Sequence, residues 1–187
     1  MPISQIVTNS IADSAVVTVD IANGAVTQAK LGTSVAGTGP AFRAYLSANQ
    51  TVTSATNTKV TLNTEVFDTA SCFNNTGSTV GGIPSYAFLP NVAGYYQFNV
   101  IQGANATSAL NYNYIQIYKN GAQDSIAIYG PYNATTNYGS LSIIIYMNGT
   151  TDYVELYAQI SGTGTLTVIG GTASVGTYMS GCLVRAA

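Results

Sequence analysis

The chain has 187 residues with 5 Lys and Arg, 7 Asp and Glu and no His, so only 6% of it is charged, where an ordinary soluble domain carries roughly 25%. Five scattered cations and a net charge of -2 cannot build a basic face for nucleic-acid phosphates. Without imidazole there is no His triad, no His metal ligand and no ordinary switch near neutral pH.

The remainder is 47% hydrophobic, with 19 Gly, 14 Tyr, no Trp and a polar fraction dominated by Thr, Ser, Asn and Gln. That composition favours strands, and the length suits one core domain. No window approaches the roughly 18 consecutive apolar residues of a membrane helix; Leu141 to Met147 is broken at Ser142 and ends at Asn148. Met1 to Gln5 lacks the cationic and apolar regions of a secretion signal, so the expectation is a protein made and assembled in the cytosol.

From the N-terminus, a ten-residue repeat comes first. Ser10 to Val17 aligns with Asp20 to Thr27, and a partial third copy starts at Lys30-Leu31-Gly32. The apolar positions Ile11, Val16, Ile21, Val26 and Leu31 alternate with small polar residues, too few large side chains to close a core alone. Such a segment needs a partner, either identical copies of itself or the surface of another protein. Gly37-Thr38-Gly39-Pro40 reads as a hinge. Two regions follow, residues 1–39 as an extended repeat and anchor segment and residues 40–187 as a folded head.

Beyond Ala41 the pattern is short strands between turn residues. Gly94 to Ile101 sets Tyr96, Phe98 and Val100 on one face and Tyr95, Gln97 and Asn99 on the other. Asn113 to Lys119 runs through Asn120-Gly121 into Ala122 to Tyr129, a strong hairpin signal. Leu141 to Met147, Asn148-Gly149 and Thr151 to Ile160 read as a second hairpin, with Val154, Leu156, Ala158 and Ile160 inward and Tyr153, Glu155, Tyr157 and Gln159 outward. Leu166 to Ile169 and Val175 to Val184 supply the last extended runs. No 3.6-residue period persists for three turns, so the head is predicted all-β, a two-sheet jelly-roll sandwich of about ten antiparallel strands.

Catalytic constellations fail one by one. Glu65 and Asp68, like Asp152 and Glu155, are three apart, which on a strand sends the partners to opposite faces. Lys30, Lys59 and Lys119 sit in no nucleophile motif, and there is no GxSxG, P-loop or GxGxxG; no enzyme activity is expected. Asp68, Asp124 and Asp152 are single carboxylates outside any DxDxDG loop, so no metal and no cofactor is expected. Cys72 and Cys182 match no metal spacing and read as buried hydrophobes or free thiols.

Several blocks resemble, in order, the complement C1q-like head, a ten-stranded jelly roll related to tumour necrosis factor. Ala41-Phe42-Arg43-Ala44 resembles its opening strand, and Lys59 to Asn63 with Val66-Phe67-Asp68 resembles its second block. Phe88-Leu89-Pro90 with Gly94-Tyr95-Tyr96-Gln97-Phe98 is similar to its Phe-x-Pro-x-x-Gly-Tyr-Tyr-x-Phe signature, one residue longer between Pro90 and Gly94. Ile117 to Gly121 is similar to its hairpin, and Tyr178 to Val184 resembles its closing strand, with Tyr178 displaced from the usual aromatic position. The resemblance implies a homotrimeric binding or structural module. The repeats from Thr8 to Leu31 resemble those at the start of bacteriophage virion proteins, which implies a virion-surface location and attachment to other virion proteins, capsid or tail, through the N-terminus. Thirty-nine residues extend at most roughly 130 Å, which suits a capsid decoration knob or a short fibre tip better than a long shaft.

The tyrosines then have two readings. As a trimer interface or core set, Phe42, Tyr95, Tyr96, Phe98, Tyr112, Tyr114, Tyr118 and Tyr178 supply aromatic area where charge is depleted. As an alternative, Tyr129, Tyr132 and Tyr138 around the Gly130 to Gly139 loop contact host surface glycan, the protein then being a receptor-binding, lectin-like adhesin. No nucleic acid and no membrane figures among the expected partners.

Overall fold

The computed structural model describes residues 17, 21, 22, 39–130, 134–172 and 176–187. The chain divides into two compact units, Met1–Gly32 and Thr33–Ala187. In the first, Val17 and Ile21 are exposed; the other expected anchor positions, Ile11, Val16, Val26 and Leu31, lie outside the described residues, as does Tyr132.

In the second unit every regular element among the described residues is a strand. In order they are β1 (Ala41–Tyr45), β2 (Gln50–Val52), β3 (Thr58–Lys59), β4 (Thr64–Asp68), β5 (Phe73–Asn74), β6 (Ala87–Phe88), β7 (Gly94–Lys119), β8 (Ala122–Tyr129), β9 (Ala134–Met147), β10 (Val154–Thr163), β11 (Leu166–Val168) and β12 (Tyr178–Ala186). β7 is the spine of a two-layer jelly roll. Its first part pairs with β12 on one side and β9 on the other, and β12 continues to β1 and β4. Its last part pairs with β8 and β10, and β10 carries β3 and β6. The changeover lies between Ala106, opposite Leu166, and Ala109, opposite Thr163.

This path gives the head two distinct ends. At the entry end Pro40 accepts a bond from Leu183 N–H and Ala187 N–H donates to Ala93; Gly94 faces Met147, and the Asn120-Gly121 turn lies beside Tyr153. At the far end β7 crosses between the layers, Thr107 N–H bonds Thr165 O at 3.0 Å, and Gly171 N–H bonds Leu46 O at 2.8 Å.

The core follows from alternation. Phe42, Phe88, Tyr96 and Phe98 are wholly buried; Phe42 stacks on Phe88 at 4.4 Å and on Phe73 at 4.9 Å, while Phe88 meets Tyr96 and Phe98 edge-on at 5.7 and 6.0 Å. Offset and edge contacts of this kind add to plain area burial. The Tyr96 hydroxyl keeps a partner, donating to Val92 O at 2.8 Å, and burial pushes its phenol well above the usual range. The Ser180-Gly181 pair has a packing reason: a Cβ on Gly181 would lie 2.8 Å from the Phe42 ring and 2.9 Å from Phe98.

The Asn120-Gly121 hairpin forms as the sequence predicts. Lys119 faces Ala122, and φ of 54° at Asn120 and 77° at Gly121 is the double positive pair that a two-residue turn between twisted strands demands. The Asn148-Gly149 hairpin does not form: β9 and β10 are not paired, and each instead pairs with a different part of β7. Asn148 Oδ1 takes the N–H groups of Thr150, Thr151 and Asp152 at 3.0, 2.9 and 2.9 Å, and the chain crosses between layers. Val154, Leu156, Ala158 and Ile160 are buried as expected, but Glu155 is buried too, at 4% exposure, because β3 brings Lys59 onto it.

Candidate interaction surfaces

The outer face of the layer β4-β1-β12-β7-β9 is built by cross-strand rows. Tyr95 faces Tyr146 and Gln97 faces Ile144; Cys182 lies opposite Gln97 and Ala41, and Tyr178 opposite Ile101 and Tyr45. Tyr95, Ile144, Tyr146 and Val184 remain 42–54% exposed, although such residues are usually inside. The Tyr95 and Tyr146 rings meet edge-on at 5.5 Å. A polar strip crosses the middle, where Ser142 Oγ donates to Asn99 and accepts from Gln97. Two guanidiniums lie on this face: Arg185 opposite Tyr95 on β12, and Arg43, 4.4 Å from the Tyr178 ring centre, an arrangement that weakens its call on water. Phe67, also exposed, lies directly across from Arg43 on β4. Lys119 closes the lower edge, donating to Tyr146 O at 2.7 Å.

The other outer face carries the tyrosine row of β7. Tyr112 and Tyr114 stack at 4.2 Å, and Tyr118 stacks on Tyr157 of β10 at 4.0 Å. Asn57 ties them down, donating to the Tyr118 hydroxyl at 2.8 Å and accepting from Gln116 at 3.1 Å. Burial, then the Glu155 charge, raises the Tyr157 phenol. At the edge, β8 exposes Ile126 and Ile128 beside Gln116 and Tyr114.

At the open edge between β8 and β9, Tyr129 and Tyr138 come together. The Tyr129 hydroxyl donates to Ser140 O and accepts Ser140 N–H at 2.8 Å, latching the two layers. Its ring covers Gly139, where a Cβ would approach to 2.5 Å. Tyr138 covers Gly103 in the same way, at 2.7 Å, and stays 49% exposed. With Ile101, Gly139 and Ser140 they line a cleft of about 230 Å³.

The expected interface or core set therefore separates. Phe42, Tyr96 and Phe98 are core; Tyr95 and Tyr178 belong to the first outer face; Tyr112, Tyr114 and Tyr118 belong to the second. Alternation places these residues inward or outward, but which outward face is left open by neighbours is a tertiary fact. Ile144 and Tyr146 were missed for that reason, although their alternation with Ile145 and Met147 was legible.

The charged groups serve the fold. Asp152 pairs with Lys119 at 2.9 Å and accepts Asn120 Nδ2 at 2.8 Å. Burial raises its carboxyl, but bonds from Asn120, Lys119 and Asn148 and the lysine charge outweigh that and hold it below the usual value. Asp68 accepts the N–H groups of Phe73 and Ala70 at 2.7 and 3.2 Å, and Glu65 is raised by burial, then by Asp68. Among the described residues no three His, Cys, Asp or Glu side chains gather as metal ligands. Both thiols are free, Cys72 buried and Cys182 exposed; burial raises the Cys72 thiol.

No protein-family model matches the sequence, and no curated protein aligns with it. Solved structures do share its fold. The globular domain of zebrafish complement 1qA superposes with a TM-score of 0.55 at 12% identity, covering 80% of this chain and 99% of that one. Murine APRIL gives 0.56 at 7% identity, covering 78% and 99%. The PRD1 vertex protein P5 gives 0.52 at 15% identity, covering 79% and 74%. The head thus has the C1q and tumour necrosis factor type of jelly roll.

Proposed function

We propose that this chain is a non-enzymatic structural protein of a phage virion, a homotrimeric knob whose N-terminal segment attaches it to the particle. The observation that carries the reading is the outer face of Tyr95, Ile144, Tyr146 and Val184, an exposed aromatic and aliphatic field beside the guanidiniums of Arg43 and Arg185. A lone head would present that field to water, and patches of this kind mark association sites. Closed cyclic association hides the same patch on every copy. The likeness to C1q and tumour necrosis factor type heads supports a trimer, and the likeness to a phage vertex protein supports a virion.

Such a protein works by binding energy alone. As a capsid decoration it stabilises the assembled shell because it binds that state and not the free subunits; as a short fibre tip it gains avidity from three equivalent heads. Decoration is the reading we favour. Light scattering on the full chain should give three times 19.3 kDa; a single-chain mass refutes the trimer. Quantitative mass spectrometry of purified particles then separates many copies, a decoration, from a few, a tip, and absence from the particle refutes the virion assignment.

A further inference from the structure

The charges of the head are unevenly placed along its long axis. Residues 44–58, 99–118, 125–151 and 156–184 contain no Asp, Glu, Lys or Arg, and described residues of these runs meet at the far end, where β7 crosses between the layers and Leu46 meets Gly171. Lys119, Asp152 and Arg185 sit toward the entry end, and Arg43 and Glu65 lie mid-sheet, level with Asn99 and Val100. With 6% charge overall some empty stretches are expected; their convergence on one end is a property of the fold.

The far end offers amides, hydroxyls and aromatic rings. Asn105 Nδ2 donates to Thr136 Oγ1 at 2.9 Å and Thr165 N–H to Thr107 Oγ1 at 2.9 Å, so each side chain is oriented while keeping further bonding positions toward solvent. Beside them lies the cleft of Ile101, Tyr129, Tyr138 and Ser140. Because the Tyr138 ring lies against Gly103, its plane is set before any ligand arrives, which lowers the ordering cost of binding. Behind it a buried amide chain runs from Gln102 through Asn113 to Asn137, with bonds of 2.7 and 3.2 Å, and Gln102 Oε1 has no partner.

We infer that this charge-free end binds neutral carbohydrate, with Tyr138 as the stacking ring and Thr136 and Asn105 as polar contacts. A sugar presents a C–H face that matches a fixed aromatic ring and a rim of hydroxyls that matches amides and Thr hydroxyls. A phosphate-bearing or acidic ligand finds no counter-charge here, and an apolar peptide finds its complement on the Ile144 and Tyr146 face rather than at this end. The single-site claim stands on the head alone; only its amplification by three sites rests on the trimer reading.

The test uses the full chain on immobilised dextran, mannan and galactan, with heparin as a polyanion, and light scattering on every sample. At least one neutral polysaccharide should be retained, equally in ~0.05 and ~0.5 M NaCl because no counterions are released, and heparin should not. Tyr138→Ala should weaken binding at least ~10-fold, about 1.4 kcal/mol. Thr136→Asp, an exposed change that spares the ring against Gly103, should weaken it with an unaltered melting curve. No retention on any of the three neutral polysaccharides, or retention unaffected by both variants, overturns the inference. Higher assemblies of the unmodified chain that Thr136→Asp dissolves would also overturn it, by making this end a protein interface. A single-chain mass with retention intact refutes the trimer and leaves the carbohydrate site standing.

Discussion

Placing a carboxylate at Ile144 separates assembly from folding. Ile144 is 54% exposed in the single head, and fully burying such a side chain is worth ~1.5–3 kcal/mol. The half still open therefore represents ~1–1.5 kcal/mol per chain, or ~3–4.5 kcal/mol for three chains meeting through the same face. Ile144→Glu removes that contribution and forces a carboxylate against apolar neighbours. The loss alone shifts the association constant by more than ~100-fold. Within one head the change touches solvent, where substitutions cost about 0.5 kcal/mol or less. Light scattering across a dilution series should then show the unmodified chain at three times 19.3 kDa and the variant at one. The melting temperature should rise with concentration for the former and stay constant for the latter, since association stabilises by mass action. A variant that remains trimeric would show that this face is not the interface, and Ile128 on β8, 62% exposed, would be the next position to charge.

Three further outcomes follow from the packing. Phe88→Ala removes a ring that touches Phe42, Tyr96 and Phe98 and should cost ~3–5 kcal/mol, read as a lowered urea midpoint; an unchanged midpoint would show that the aromatic cluster is not the core. Tyr129→Phe deletes the hydroxyl held by Ser140 and should cost ~0.5–1.5 kcal/mol, seen as faster hydrogen exchange along β8 and β9 with the global melt almost unmoved. Uniformly faster exchange would mean that the latch is part of the global unfolding unit. Because the folded Asp152 carboxyl is held below its usual value, its stabilising contribution is complete above the unfolded carboxylate value near ~4 and is lost as pH falls through the folded value. Asp152→Asn should lower stability at neutral pH and flatten the acid limb of a denaturation-against-pH curve; parallel limbs would show that Lys119 and Asn120 do not hold the ionised form.

The sequence by itself determined whatever depends on neighbours along the chain. Alternation from Gly94 to Val100 marks Tyr96 and Phe98 as interior because successive residues of a strand point to opposite sides. Asn120-Gly121 closes a hairpin because that dipeptide tolerates the positive φ pair of a tight turn. The scarcity of charge and the absence of His limited the chemistry before any fold was known. Tertiary structure decided what depends on partners distant in sequence. Asn148-Gly149 carries the same dipeptide signal, yet β9 pairs with Gly94–Leu110 of β7 rather than with β10, so long-range pairing overrides the local turn preference. Glu155, outward by alternation, is buried because Lys59 arrives from β3. The apolar field around Ile144 and the charge-free far end exist only once the layers bring separate stretches together, since alternation tells which way a side chain points but not what, if anything, covers it.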